Sequence, residues 1–374
     1  MEKLQLEADS SKYQQVKNNI KRWILAGQVD DEGRIPSENN MSEFFGVSRH
    51  TIRQAIGELV NEGWVYRQQG RGTFATSRDN YSASRKQGHL KIGVITTYLV
   101  DYIFPHIIQG IESVVVPQGH SLSLYSTGNN VQTERRALEM ALQQGVDGLI
   151  IEPTKSTHPN PNIDLYLLME RRNIPFVMLH SSYVELNAST VTLDDARGTY
   201  LATSHLFNLG HKTVGAIFKS DDAQGRARFK GFVKAHQDFH MPIQGQLIKT
   251  YTTEDKDDVV AGFVREVVKE DGDHHRATAV VCYNDEIAIS VIAQLQTVGL
   301  EVPKDISVTG FDDSTLADKG IVQLTTVRHP KHEMGEVAAK MLFDLLKSKD
   351  TMWVPREHVF EPELVVRTST SQPE

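Results

Sequence analysis

Four side chains in one short stretch, Arg49, His50, Thr51 and Arg53, have the chemistry to read nucleic acid. A guanidinium fork matches the O6 and N7 acceptors of guanine, and a hydroxyl or imidazole can bond a base edge or a phosphate. They sit among an apolar series, Ile52, Ala55, Ile56, Leu59 and Val60, whose spacing predicts a helix with those four on its polar side. A second chemistry is spread over the rest of the chain. Polar residues follow short apolar runs: Asp101 and Tyr102, Glu152, His180, Asn284 with Asp285, and Asp312 with Asp313. Carboxylates and amides exchange hydrogen bonds with hydroxyls, and an arginine such as Arg228 can donate two to a sugar oxygen. The rings of Tyr102 and Phe104 suit the apolar face of a pyranose. Any one of these residues alone can equally cap a strand end or face solvent.

The helix that carries Arg49 and its neighbours has company. Tyr13, Val16, Ile20, Trp23 and Ile24 recur at helical spacing and predict an amphipathic first helix. After Gly33-Arg34-Ile35-Pro36, Ser37 is a good cap for a short second helix with Met41, Phe44 and Phe45 that stops at Gly46; Ser48 can cap the third. Two helices joined by a tight glycine-containing turn match the helix-turn-helix pattern, whose second helix presents its N-terminal residues to base edges in the major groove. Beyond Gly63, residues 64–67 and 73–75 flank Gln68-Gln69-Gly70-Arg71-Gly72 and predict a hairpin, a wing for the minor groove and backbone. Singly, each arginine is most often a solvated helix face. Helix order and the glycine-rich hairpin together favour DNA contact.

Residues 77–89 are polar, aperiodic and free of large aliphatic side chains, and read as a linker between a first domain, 1–76, and a second, 90–374. In the second, apolar runs at 92–95, 122–124, 146–151, 175–179, 214–218, 279–282 and 306–310 alternate with helical stretches such as 134–143, 197–208, 285–298 and 331–346. Such alternation predicts parallel sheets covered by helices, and its length predicts two α/β lobes rather than one. Ligands of open α/β sheets bind beyond the carboxyl ends of the strands, where the polar residues above fall. Two facing lobes would put that crevice at their interface.

The runs Ile35-Pro36-Ser37-Glu38, Phe45-Gly46-Val47-Ser48-Arg49-His50-Thr51-Ile52-Arg53, Glu62-Gly63 and Gly70-Arg71-Gly72-Thr73-Phe74 resemble the winged helix-turn-helix of the GntR family over nearly the whole first domain. That resemblance implies DNA contacts at Glu38, Arg49, His50, Thr51, Arg53, Gln69 and Gly70. From Leu90 to Thr368 a different family is matched. Val146-Asp147-Gly148-Leu149-Ile150-Ile151, Leu209-Gly210-His211, Arg228-Phe229-Lys230-Gly231-Phe232, Cys282-Tyr283-Asn284-Asp285, the run from Asp305 through Asp313, and Leu324-Thr325-Thr326-Val327 resemble the LacI/GalR effector domain, a relative of periplasmic sugar-binding proteins. This resemblance implies that Glu152, His180, Arg228, Asn284 and Asp312 line a sugar pocket. The first domain is not the LacI helix-turn-helix with its hinge helix, so hinge folding on DNA does not carry over. Thr96-Thr97-Tyr98, Asp101-Tyr102-Ile103-Phe104-Pro105 and Glu152-Pro153-Thr154-Lys155-Ser156 are similar to the arabinose-operon repressors of Gram-positive bacteria, which join these two modules. The resemblance implies operator DNA, a homodimer and L-arabinose as effector, with no cofactor and no metal.

Composition sets the outer bounds. The chain has 374 residues, 39% hydrophobic and 24% charged, the profile of a globular protein of two or three domains. No window approaches the ~20 apolar residues of a membrane span, the first residues lack a secretory pattern, and a single cysteine, Cys282, fits a reducing cytoplasm. Net charge is −8, yet residues 1–80 balance 11 basic against 11 acidic side chains, so the remainder carries the whole excess. Residues 48–78 hold five arginines against Glu58 and Glu62, a local basic face that phosphate binding requires. Glu152 with Asp312, or Asp194 with Asp195, could serve glycoside chemistry. Asp194 and Asp195 read better as a turn before the next helix, and no phosphate-binding loop, nucleophile elbow or zinc-protease helix is present. His274-His275 lies in a charged turn and reads as solvent-facing rather than metal-binding. A transport binding protein would lack the winged helix, and a purely architectural DNA binder would leave the large polar-edged domain without a use. The expected protein is a sugar-responsive repressor released from DNA when sugar closes the lobes.

Overall fold

The computed structural model describes residues 11–25, 28–30, 33–61, 64–68, 70–75, 88–100, 102–269, 276–348 and 354–373. Gln69, Asp101, His274-His275 and residues 77–87 of the expected linker lie outside the described residues. The chain's contacts fall into two units, Met1–His89 and Leu90–Glu374.

In the small unit α1 (Lys12–Leu25), α2 (Glu38–Phe45) and α3 (Arg49–Asn61) precede strands β1 (Val65–Gln68) and β2 (Gly72–Ala75). Local chemistry sets the helix ends. Ser37 Oγ accepts the Asn40 N–H (3.2 Å), and Gly46 closes α2 at φ 61°, a left-handed conformation that costs glycine little. Ser48 Oγ accepts the Thr51 N–H (3.2 Å) at the head of α3. The stripe Ile52, Ala55, Ile56 and Leu59 is fully buried against Val16 and Ile20 of α1 and Met41 and Phe45 of α2. Full burial of such a side chain contributes about 1.5–3 kcal/mol, so the stripe decides the orientation of α3. Its other side is left to solvent. The hairpin pairs Val65 with Ala75 through Gln68 with Gly72, and residues 33–35 add a short third strand through Ile35 N–H to Thr73 O (3.0 Å) and Ala75 N–H to Gly33 O (2.7 Å).

The large unit contains two parallel sheets. Its first half runs β3 (Lys91–Thr96), α4 (Phe104–Val115), β4 (Ser121–Ser126), α5 (Val131–Gln144), β5 (Gly148–Ile151), α6 (Ile163–Arg171), β6 (Phe176–Leu179) and β7 (Ser189–Leu193). The second half runs α7 (Asp195–Asn208), β8 (Val214–Lys219), α8 (Ala223–Asp238), β9 (Ile248–Tyr251), α9 (Lys256–Val267), β10 (Ala279–Cys282), α10 (Asp285–Thr297) and β11 (Ser307–Thr309). The chain then returns through β12 (Thr326–Arg328), α11 (Lys331–Lys347), β13 (Glu357–Phe360) and β14 (Glu363–Val365). The first lobe's sheet has the order β13-β7-β6-β5-β3-β4 and the second's β11-β10-β8-β9. All neighbours in both sheets are parallel. Strands β3, β5, β6, β8 and β10 are almost wholly buried, as expected where helices cover both faces.

Helix α11 packs on α4 at backbone distance. A Cβ added at Gly110 would lie 2.0 Å from His332 O, and one at Gly335 would lie 2.1 Å from Ile107 O. Glycine is required at both places because the helices approach so closely. The returning chain ties the lobes together: β12 pairs antiparallel with β14, and the C-terminal segment joins the second lobe where Val308 N–H meets Ser369 O (2.9 Å).

Candidate functional site

The residues expected to meet DNA centre on the first turn of α3. Arg49, His50 and Arg53 are exposed there, and the first turn carries no acid. Thr51 is half-buried, its hydroxyl 2.9 Å from Ser48 Oγ at the cap. Glu38, at the start of α2, accepts from Arg53 Nε (2.7 Å) and lies 3.9 Å from Arg67 of β1. It therefore pairs with one arginine of the helix and one of the wing, contacts that its sequence position did not signal. Gly70 is exposed at the hairpin tip with φ 77°.

In the large unit the carboxyl ends of β3, β5 and β6 face those of β8, β10 and β11 across the cleft. Glu152, just beyond β5, is 7% exposed; its Oε2 accepts the Thr97 N–H (2.8 Å) and hydroxyl (2.7 Å), and its Oε1 lies 3.0 Å from His180 Nδ1. His180, beyond β6, has φ 64° and makes an edge contact with Phe104 at 6.5 Å between centroids. Eight described non-glycine residues have positive φ, and six of them, Tyr102, Asn129, Lys155, His180, Asp312 and Asp313, lie at this cleft. Strained backbone of this kind concentrates where a fold positions functional side chains.

The far side of the cleft is organised by Arg228 on α8, 1% exposed. Its Nε donates to Asp195 Oδ1 (2.7 Å), Nη1 to Tyr283 O (2.7 Å) and Nη2 to Asp312 Oδ1 (3.3 Å). Its guanidinium carbon lies 3.6 Å from the Phe311 ring centroid and 4.7 Å from that of Tyr283. The flanking carboxylates keep Arg228 cationic despite burial. Burial pushes the Asp195 carboxyl up to about 6, although Arg228 pulls the other way. Asp285, buried and close to Asp312, is pushed up to about 7. It accepts from Thr326 Oγ1 (2.5 Å) and the Ser314 N–H (2.7 Å).

Of the expected residues, Tyr102, Glu152, His180, Arg228, Asn284 and Asp312 lie at the facing ends of the two lobes, with part of their bonding capacity already used within the protein. Asn284 caps α10, its Oδ1 accepting the Ile287 N–H (3.0 Å). The Tyr102 hydroxyl donates to Phe311 O (3.1 Å) and accepts from the Asp285 N–H (3.1 Å), bridging the lobes. Asp313 pairs with Arg367 (2.6 Å) and Arg328 (3.4 Å). Of the acidic doublet, Asp194 caps α7 through the Arg197 N–H (2.8 Å), whereas Asp195 turns inward to Arg228. Reading both as a turn missed the second. The readable signal was a doublet at a helix start, where one acid caps and the next can point inward.

The lips of the cleft touch. Asn129 Nδ2 donates to Thr253 Oγ1 (2.6 Å) and to Asp221 Oδ2 (3.3 Å). Lys155 pairs with Glu254 and lies 3.8 Å from Asp221. Thr157 Oγ1 donates to Ser220 O (3.0 Å), and Ser156 Oγ accepts the Ala223 N–H (2.9 Å). Every one of these contacts joins the first lobe to the second.

Comparisons with known proteins agree with this division. Residues 12–75 match the bacterial regulatory proteins of the gntR family, and residues 203–370 match the periplasmic binding protein-like domain. An arabinose metabolism transcriptional repressor of Halalkalibacterium halodurans is 46% identical over 366 residues, 97% of each chain. One of Geobacillus stearothermophilus is 42% identical over 96% of this chain and 98% of its own. Among solved structures, a LacI family transcriptional regulator from Enterococcus faecium with bound ribose covers 76% of this chain and all of its own, at TM-score 0.64 and 24% identity. At that identity the likeness speaks for the fold. With near-full-length identity above two-fifths and both modules matched, the chain belongs to the family of arabinose metabolism transcriptional repressors.

Proposed function

We propose that this repressor acts in the cytoplasm on sugar-utilisation genes, holds operator DNA as a homodimer through Arg49, His50, Thr51, Arg53 and the wing around Gln69 and Gly70, and answers to L-arabinose. Glu38 acts there by orienting Arg53 and Arg67. The sugar lies between the lobes against Glu152, His180, Arg228, Asn284 and Asp312, with Asp101 and Tyr102 as further contacts. One observation carries the reading: Glu152 and His180 bond each other, Arg228 holds Asp195 and Asp312, and His180 is near enough to Asp195 to favour its charged form. A ligand held there favours the closed lobes and shifts the dimer to a state whose α3 helices no longer match both half-sites.

The coupling is reciprocal, so operator DNA weakens sugar binding by the same factor as sugar weakens DNA binding. The test is calorimetry of the full chain with L-arabinose, D-xylose, D-ribose and D-galactose, with and without a duplex selected by the protein from a random pool. Selective L-arabinose binding that weakens when the duplex is present is expected. Equal affinity in both titrations would sink the release mechanism, and preference for another sugar would replace the effector.

A further inference from the structure

His329, between β12 and α11, is 3% exposed, yet neither of its ring nitrogens has a hydrogen-bond partner among the described residues. Nε2 of His180 is likewise buried and unpartnered, and the two imidazoles meet edge to face at 5.1 Å between centroids. Three unpaired, buried ring nitrogens therefore lie on two rings in contact. An unpaired buried polar group is destabilising, and native proteins keep such groups where a ligand or ordered water completes them.

The protonation pattern narrows the ligand. His180 Nδ1 faces a carboxylate oxygen of Glu152, which only accepts, so Nδ1 carries the proton. In the neutral ring Nε2 is then an acceptor. His329 is held neutral: burial depresses its pKa well below the usual histidine value, and Lys331 and Arg228 add positive charge nearby. A neutral imidazole offers one donor and one acceptor. In that neutral form a group that satisfies His180 Nε2 must donate, as a hydroxyl can. Two rings side by side suit two neighbouring hydroxyls.

We infer that His180 and His329 form a two-imidazole subsite for adjacent hydroxyl groups of an uncharged polyol, with His329 a specificity-determining residue for the effector. This rests on the cleft being the sugar site. Lys331 belongs to the subsite's frame rather than to its ligand side, since its ammonium donates to the carbonyls of Asp312 (2.6 Å) and Asp313 (2.9 Å).

The inference separates stability from binding. An apolar residue of similar size removes the unpaired nitrogens, so the sugar-free H329L protein should melt at or above the wild-type temperature. Its affinity for L-arabinose should fall by about tenfold or more, while H329Q, which retains a donor and an acceptor, should recover much of it. Calorimetry with L-arabinose and its monodeoxy analogues locates the contact. Wild type should bind one analogue markedly more weakly than L-arabinose, and H329L should not distinguish the two. H329L binding L-arabinose within twofold of wild type overturns the inference. So does a lowered sugar-free melting temperature, which marks a structural histidine. A wild-type protein that binds none of the pentoses removes the sugar-site reading together with this one.

Discussion

The Arg228 cluster makes an asymmetric demand on mutation. One guanidinium is flanked by two carboxylates, Asp195 and Asp312, with a third, Asp285, close behind. Lys331 reaches only backbone carbonyls of this group. The cluster is over-supplied with negative charge, so losing the cation and losing one anion are different perturbations. Arg228→Leu leaves two buried carboxylates facing each other, and breaking a buried pair by removing one partner costs about 3–5 kcal/mol. For a unit of this size that is roughly 6–10 °C in melting temperature. Asp195→Asn keeps an oxygen to accept from Arg228 Nε and leaves Asp312 as counter-charge, so it should stay within about 1.5 kcal/mol of wild type at pH 7.5.

The Arg228→Leu deficit should also depend on pH, with a fixed sign. Burial already holds Asp195 up to about 6, and Arg228 is the main influence lowering it. Without the arginine the folded-state value rises further. A carboxylate whose folded pKa is raised binds protons more tightly in the native state, so its contribution falls as pH rises from the unfolded value through the folded one. Each added unit costs about 1.4 kcal/mol above that window. The deficit should therefore shrink at pH 5 and be full at pH 8. Thermal melts of wild type, Arg228→Leu and Asp195→Asn at pH 5, 6.5 and 8, scored as differences at each pH, cancel the opposing influence of His205, His211, His236 and His329, whose pKa values burial lowers. A deficit that does not change with pH, or an Asp195→Asn loss as large as that of Arg228→Leu, would refute the charge argument.

Arg49→Ala should lose about 1–3 kcal/mol of operator binding and relax base preference if the guanidinium reads a base, whereas a uniform loss with a shallower salt dependence marks a phosphate contact. Glu38→Gln frees Arg53 and Arg67, so discrimination between operator and random duplex should fall while affinity for the random duplex holds or rises; unchanged discrimination in a competition gel-shift would count against the positioning role. Lys155→Met removes a lip contact that is partly solvent-exposed, worth about 0–1 kcal/mol, so the melting temperature should barely move while sugar affinity drops by up to about fivefold. A large loss of stability would show that Lys155 supports the fold rather than closure.

What the sequence revealed and what it withheld follow from the range of the forces involved. Helix caps at Ser37 and Ser48, the stop at Gly46 and the stripe from Ile52 to Leu59 are local, and the chain reads as it folds. The seven apolar runs became strands, six of them because burial on both faces demands continuous apolar sequence, whereas β4 is a largely exposed edge strand. Strand β7 escaped that reading: its residues alternate between buried and partly exposed, so Ser189 and Thr190 broke the run. Strand β13 is largely exposed at the sheet edge and advertises no core at all. The cleft shows the same division. Strand-end position was enough to nominate Glu152 and His180, because the end of a parallel strand is a local property. Which partner each side chain meets is settled by residues far away in sequence, as Arg228 with Asp195 and Asp312, or Tyr102 with Phe311, demonstrate. His329 is the extreme case. It stands in a polar break after an apolar run like many loop histidines, and only its burial without a partner sets it apart, which no spacing rule encodes. Such burial is a property of the folded chain, because the side chains that surround His329 come from segments far apart in sequence, as its ring contact with His180 illustrates.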